Sequence, residues 1–236
     1  MSKTPLGPSK QNNEGSIKTM MNDLFADFDD GLPQREDLAA GVVLLRGFAR
    51  EQTASLLLAV AQITQASPFR QMSTPGGYRM SVAMSNCGAL GWIADSQGYR
   101  YAARDPLNNH AWPAMPEVFL ALARSAALEA GFADFLPDVC LINRYAPGTK
   151  LSMHQDKDEA DFSAPIVSIS LGLPAIFLLG GLQRNHPSQR IGLSHGDVLV
   201  WGGPARLRYH GVLALKQDSH AELGACRINL TFRQAA

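Results

Sequence analysis

Five short segments near the C-terminus limit the fold most: VCLINRYA (139–146), PIVSISLG (165–172), PAIFLLGG (174–181), GDVLVWGG (196–203) and CRINLTFR (226–233). Many short strand candidates separated by turn signals predict a sandwich or jelly-roll barrel rather than a parallel α/β sheet. Upstream, GVVLLRGF (41–48) suits a further strand. REQTASLLLAVAQIT (50–64) and PEVFLALARSAALEAGF (116–132) place apolar residues at helical spacing, the second opened by Pro116 and stopped by Gly131. The class is mostly β with bracing helices (α+β), the helices lying outside the barrel. Between them, residues 67–113 are rich in Gly, Pro, Asn and aromatics, which predicts a surface lid with short hairpins.

The chain of 236 residues is long enough for a single domain with a sizeable core. The expectation is one domain over 23–236, with the core at about 137–236. Residues 1–22, polar and without a hydrophobic period, read as a tail. No apolar run approaches the roughly 20 residues that cross a bilayer, and no secretory pattern opens the chain, so the expected address is cytoplasmic. Cys87, Cys140 and Cys226 are widely spaced and form no CxxC pair, so they read as buried thiols. With 21 basic and 21 acidic residues, the chain does not coat nucleic acid by bulk charge.

Strand geometry places alternate residues on one face. CRINLTFR therefore sends Cys226, Ile228, Leu230 and Phe232 one way and Arg227, Asn229, Thr231 and Arg233 the other. A sheet with a wet outer face is the ordinary source of that pattern. The same rule aligns Leu141, Asn143 and Tyr145 in VCLINRYA, and His154 with Asp156 in SMHQDKDE (152–159). Three segments offering aligned polar groups could instead line one polar cavity. An H-x-D pair can give a metal one imidazole and one carboxylate, and a distant histidine completes the two-His, one-carboxylate arrangement of non-haem Fe(II) sites. SHGD repeats the spacing at His195 and Asp197, where Gly196 and the strand that follows suggest a hairpin entry. Among third ligands, His110, His186 and His220 sit in loop-like stretches, whereas His210 in RLRYHG falls near a strand end.

LINRYAPGTKLSMHQDKDE, PIVSISLGLPAIFLLGG, SHGDVLVWGGPARLRYHG and CRINLTFRQ, with FRQMSTPGGYRMSVAMSNCGALGW upstream, closely resemble the AlkB family of Fe(II)- and 2-oxoglutarate-dependent nucleic-acid dealkylases. The likeness runs from about Leu24 to the end. It implies a double-stranded β-helix (jelly-roll) core with an N-terminal nucleotide-recognition lid. It also implies metal ligands at His154, Asp156 and His210, with His195 in a structural turn.

By the resemblance, Arg233 meets the distal carboxylate of 2-oxoglutarate. Arg227 reaches the metal-proximal carboxylate and the Asp156 side, and Asn143, Tyr145 and Asn229 stand beside the cosubstrate. The implied reaction consumes O2 and 2-oxoglutarate, releases succinate, and removes methyl groups from N1-methyladenine and N3-methylcytosine as formaldehyde. The base must be single-stranded or flipped out. Trp92 is expected to stack on it, Tyr99 and Met84 to form pocket wall, and Asp158, with Glu159, to face the cationic lesion. Thr74, Tyr78, Tyr99 and Arg184 are the expected phosphate contacts. Departures in the lid, at Arg79 and Asp95–Ser96, leave open DNA, RNA and the range of lesions. A zinc hydrolase would accept the same three ligands but has no need of the two arginines, and a binding module would need neither. A monomer is expected, since no exposed apolar stripe asks for a partner.

Overall fold

The alternation in CRINLTFR is settled by burying both of its faces. The computed structural model describes Met1 and residues 34–236, so the expectations for a tail at 1–22 and a domain start at 23 lie outside the described residues. Thirteen strands and two α-helices follow: β1 (Gln34–Ala39), β2 (Val42–Arg46), α1 (Thr53–Ala66), β3 (Ala83–Gly88), β4 (Gly91–Asp95), β5 (Gly98–Ala102), α2 (Glu117–Glu129), β6 (Val139–Tyr145), β7 (Leu151–His154), β8 (Ile166–Gly172), β9 (Ala175–Leu179), β10 (Gln189–Leu193), β11 (Val198–Trp201), β12 (His210–Val212) and β13 (Arg227–Arg233).

The major sheet has seven antiparallel strands in the order β1-β2-β11-β8-β13-β6-β3. The minor sheet has four, β10-β9-β12-β7, and β4-β5 is a separate hairpin. On one face of the major sheet, Ile228, Leu230, Phe232, Cys140, Ile142, Val167 and Ile169 pack against Leu56, Val60 and Ile63 of α1 and Phe119, Leu122 and Ala126 of α2. The Phe119 and Phe232 rings meet edge to face at 5.8 Å. Burying a side chain of that size is worth roughly 1.5–3 kcal/mol, so this layer anchors the sheet from outside. The other face meets the minor sheet through Leu44, Leu141, Leu199, Trp201, Phe177, Leu179 and Val212. Every residue of β13 is buried, so its polar face lines an interior and is not a wet outer surface.

Two details depart from the expected layout. Inside the stretch expected as lid, β3 instead forms an edge of the major sheet, in register with β6 from Ala83 opposite Arg144 to Gly88 opposite Val139. Its Ser85, Asn86 and Cys87 are buried. Of the three thiols, Cys87 and Cys140 are buried as expected, while Cys226 is partly exposed. The β4–β5 hairpin begins on Gly91 because no side chain fits there: a Cβ would sit 2.3 Å from the Trp112 indole. No described helix is long and apolar enough to cross a membrane.

Candidate active site

β7 and β12 are antiparallel neighbours with His154 directly opposite His210. Their close approach depends on Gly211, where a Cβ would lie 2.7 Å from the Leu151 carbonyl oxygen. Asp156 follows two residues after β7 and turns back to both rings, Oδ1 lying 3.5 Å from His154 Nε2 and Oδ2 3.6 Å from His210 Nε2. One ligand atom from each of the three residues lies within 4.8 Å of the others, and this is the one such cluster among the described residues.

The ring nitrogens are already assigned by their partners. His154 Nδ1 faces Ser152 O at 2.9 Å and His210 Nδ1 faces Arg208 O at 3.1 Å. A carbonyl only accepts, so each Nδ1 carries a proton and Nε2, on the Asp156 side, is the nitrogen left to bind a metal. Burial disfavours the charged form of both rings. For His154 the adjacent Asp156 outweighs burial and its pKa is raised, whereas for His210 burial and the charge of His154 prevail and its pKa is lowered. Asp156 is held well below the carboxylate range despite burial, by Arg233 and then the two histidines.

His195 is built differently. Its Nδ1 accepts the Gly172 N–H at 2.9 Å, and Asp197 accepts from Gly47 N, Ser194 N and Arg46. This second H-x-D pair is therefore committed to turns, as the strand-entry reading expected.

The three ligands open on a cavity of about 660 Å³ lined by Leu141, Asn143, Tyr145, Arg227, Asn229, Thr231 and Arg233 on one side and by lid and loop residues on the other. Of the two arginines of β13, it is Arg233 and not, as expected, Arg227 that stands on the Asp156 side. Arg233 donates from Nε and Nη2 to Asp156 Oδ2, at 3.0 and 2.6 Å. Burial opposes its charge, yet Asp156, Tyr101 and Glu159 together raise its pKa. Arg227 donates from Nη2 to Ser170 Oγ at 3.0 Å and lies over the Tyr145 ring, but its Nε and Nη1 are buried with no partner. Burial lowers its pKa. The difference has a plain cause, since the loop after β7 returns over the C-terminal end of β13 and carries Asp156 to Arg233. Asn143 Oδ1 is also buried and unpaired, whereas Asn229 spends its amide on Ser168, Ile169 O and Thr231.

The lid contributes Trp92, whose indole N–H donates to Asp158 Oδ2 at 2.9 Å and whose ring stacks on Tyr99 at 5.7 Å. Trp92 and Tyr99 line the cavity with Met84, Asp158, Thr74 and Arg184. Arg184 already donates to Met153 O at 2.7 Å and lies over Tyr209. Tyr78 is 79% exposed and lies off the cavity wall. Glu159 faces away from the cavity: it is buried against Tyr101, Arg206 and Arg233, so only Asp158 of the two acids is turned to the opening. Sequence reasoning missed Asn86, whose buried amide both accepts from Trp92 N and donates to Trp92 O, each at 3.0 Å, fixing the backbone that carries the indole. It also missed Arg206 and Tyr101.

The donor set fits a ferrous ion: two imidazoles and one carboxylate on one side, with a guanidinium in the same cavity that has two unpaired nitrogens for a carboxylate cosubstrate. Comparison with known proteins agrees. Residues 41–233 match the model of the 2OG-Fe(II) oxygenase superfamily. The chain is 60% identical over 216 residues to the alpha-ketoglutarate-dependent dioxygenase AlkB of Salmonella typhimurium, covering 92% of this chain and 99% of that one. It is 59% identical over 215 residues to the protein of the same name from Escherichia coli, covering 91% and 98%. Among solved structures, that of OsALKBH1 superposes with a TM-score of 0.75 at 30% identity, covering 85% of this chain and all of that one.

Proposed function

The chain belongs to the 2OG-Fe(II) oxygenase superfamily and, within it, to the AlkB family, and on that premise we propose that it repairs alkylated DNA, and also RNA, by oxidative demethylation of N1-methyladenine and N3-methylcytosine. It is an Fe(II)- and α-ketoglutarate-dependent dioxygenase. A ferrous ion at His154, Asp156 and His210, with 2-oxoglutarate and O2 as cosubstrates, supplies the oxidation that releases the methyl carbon as formaldehyde and leaves succinate.

The protein's own part is positioning. The observation that carries the reading is Arg227: a buried guanidinium with two unpaired nitrogens is costly unless a carboxylate completes it, and the distal carboxylate of 2-oxoglutarate does so. Tyr145, opposite Arg227 on β6, and Asn143, two positions before it and with its own unpaired oxygen, flank that end. Arg233 keeps Asp156 ionised and oriented for the metal. At the mouth, Trp92 offers a stacking surface, with Tyr99 behind it and Met84 as wall. Asp158 presents a carboxylate to the cationic methylated base and so favours it over the neutral parent. A base in a duplex cannot reach these groups, so the substrate is single-stranded or flipped out. Thr74, Tyr99 and Arg184 at the mouth, with the exposed Tyr78 outside it, are the proposed contacts for backbone phosphates. The enzyme acts as a cytoplasmic monomer.

The test is an anaerobic titration with Fe(II) and 2-oxoglutarate, followed by oxygen and a methylated oligonucleotide. Stoichiometric succinate and formaldehyde are expected. Succinate without demethylation would retain the iron chemistry and sink the substrate assignment; parallel methylated DNA, RNA and peptide arms rank the substrates.

A further inference from the structure

Two hydrogen bonds tie the lid hairpin to the loop that follows β7, and they come from residues directly opposite one another, Trp92 on β4 and Tyr101 on β5. The first, Trp92 to Asp158, lies at the rim. The second lies inside: the Tyr101 hydroxyl donates to Glu159 Oε1 at 2.7 Å. Burial, with Arg233 opposing and Glu159 and Asp156 adding, raises the Tyr101 phenol far above its ordinary range, so it is a neutral donor at any working pH.

Glu159 has no exposed side-chain surface. Arg206 Nη2 lies 3.1 Å from its Oε2, and Arg233 Nε lies 3.4 Å from its Oε1. Arg206 also donates from Nη1 to the Asp156 carbonyl at 2.8 Å and from Nε to the Ala164 carbonyl at 3.1 Å. One guanidinium thus clamps both ends of the 156–164 segment and the acid in its middle. Neither Tyr101, Glu159 nor Arg206 lines the cavity. A buried cluster of two guanidinium groups and two carboxylates is seldom more stable than apolar packing of the same volume, and its use here is to fix one geometry.

We propose that Glu159, held by Tyr101 and Arg206, is a positioning residue that sets the pose of Arg233 on the metal-ligand carboxylate of Asp156, so that seating of the lid hairpin and orientation of that ligand are a single event. This rests on the metal-site reading above. Its consequence is specificity: nucleic acid that settles the lid also completes the iron site, and an unseated lid leaves it slack. Glu159 shapes the metal environment through Arg233, one step further out than a direct partner of a ligand. Loss of such a direct partner typically costs 10–100-fold in metal affinity, so roughly 3–10-fold is expected here.

The experiment compares the full chain with Y101F, E159Q and R206K in two readouts that need no turnover. One is Co(II) affinity and its visible ligand-field spectrum; the other is backbone hydrogen exchange of residues 91–102 in metal-free protein. All three variants are expected to bind Co(II) more weakly and with a shifted spectrum, E159Q most, and Y101F is also expected to raise lid exchange. Y101F removes only one oxygen, and R206K retains the charge while losing the fork, so a folding failure in E159Q leaves two informative variants. Faster lid exchange in Y101F with an unchanged Co(II) spectrum and affinity overturns the coupling and leaves Tyr101 a structural strut. Altered Co(II) binding with unchanged exchange overturns it equally. If the wild-type chain takes up no Co(II), the metal-site reading itself fails, an outcome distinct from either.

Discussion

The two ends of the polar face of β13 are built on opposite principles. At one end Arg233 is enclosed by acids, Asp156 at 2.6 Å and Glu159 at 3.4 Å, with Tyr101 closing the network and Nη1 alone left unpaired. At the other, six residues away on the same strand, Arg227 has one neutral partner, Ser170, and two orphaned nitrogens. Both side chains are buried, so solvent does not explain the difference. A charge that the fold has already neutralised is part of the scaffold. A charge buried without its counter-ion is stable only with a ligand, so the contrast separates what the chain does for itself from what it reserves for the cosubstrate.

The sharpest way to break this contrast is to make one substitution at both ends. Arg233→Met strips Asp156 of its arginine and leaves Glu159 to Arg206 and Tyr101 alone, so urea denaturation should show a loss of about 3–5 kcal/mol, with loss of metal binding. Arg227→Met removes a charge that has only Ser170 and the Tyr145 ring beside it and no acidic partner. Metal-free protein should then be unchanged or more stable, by up to about 1–4 kcal/mol, because an apolar side chain of similar volume replaces an unpaired ion. The same variant should raise the KM for 2-oxoglutarate by roughly 100-fold, the scale of losing a buried bidentate carboxylate contact. Equal destabilisation by the two substitutions would abolish the distinction. Ligand linkage sharpens it further: with metal held at one saturating concentration throughout, 2-oxoglutarate at about 100 times its wild-type Kd should add about 2.7 kcal/mol to wild type, read as a rise in Tm, and almost none to Arg227→Met.

The same two residues show what the sequence could and could not disclose. That Arg227, Asn229, Thr231 and Arg233 share a face follows from a period of two, which is local, and it holds. Which arginine meets Asp156 depends on how the loop after β7 crosses the sheet, a matter of topology that no local pattern contains. The H-x-D pairs differ in the same way: His154–Asp156 and His195–Asp197 have one spacing, and only their surroundings decide that Asp197 accepts three turn hydrogen bonds while Asp156 turns to two imidazoles. Strand β12 is three residues long and exists because β7 and β9 flank it, and β3, AMSNCG, has the composition of a turn but is paired by β6. Glu159 next to Asp158 reads as a second rim acid. Its burial comes from Arg206 and Tyr101, 47 and 58 positions away by residue number, and no signal in SMHQDKDE announces it.

Carried to the cavity mouth, the contrast predicts smaller effects, because the open charge there is exposed. Asp158 holds one indole N–H and keeps a face for a cationic base. Asp158→Asn retains shape and a hydrogen-bond acceptor while removing the charge. An interaction of this kind near a surface is worth about 1 kcal/mol, so the preference for methylated over unmethylated oligonucleotide in competition binding should fall by roughly 5-fold, with 2-oxoglutarate affinity unchanged. A fall in cosubstrate affinity of the same size would show that the mouth and the floor are not separable.

The smallest effect belongs to a satisfied pair on the surface, the lid counterpart of Arg233 with Asp156. Across the β4–β5 turn, Arg100 donates to both oxygens of Asp95, at 2.8 Å each, and Gln97 N donates to the same carboxylate. Arg100 first, and the Gln97 N–H after it, lower the Asp95 pKa from 3.8 to about 2. The folded pKa lies below the unfolded one, so the hairpin gains stability above pH 3.8, and that gain is lost as pH falls through the interval down to about 2. Both groups are open to solvent, so salt screens the pair and its loss should loosen the hairpin alone without unfolding the barrel. Hydrogen exchange between pH 5 and 2.5 should show residues 91–102 gaining exchange beyond the intrinsic pH trend while β13 does not, and Asp95→Asn should remove the pH dependence of that difference. Simultaneous loosening of β13 in the same interval would mean that acid is acting on the buried Asp156–Arg233 pair, and that the surface pair and the buried one are not independent after all.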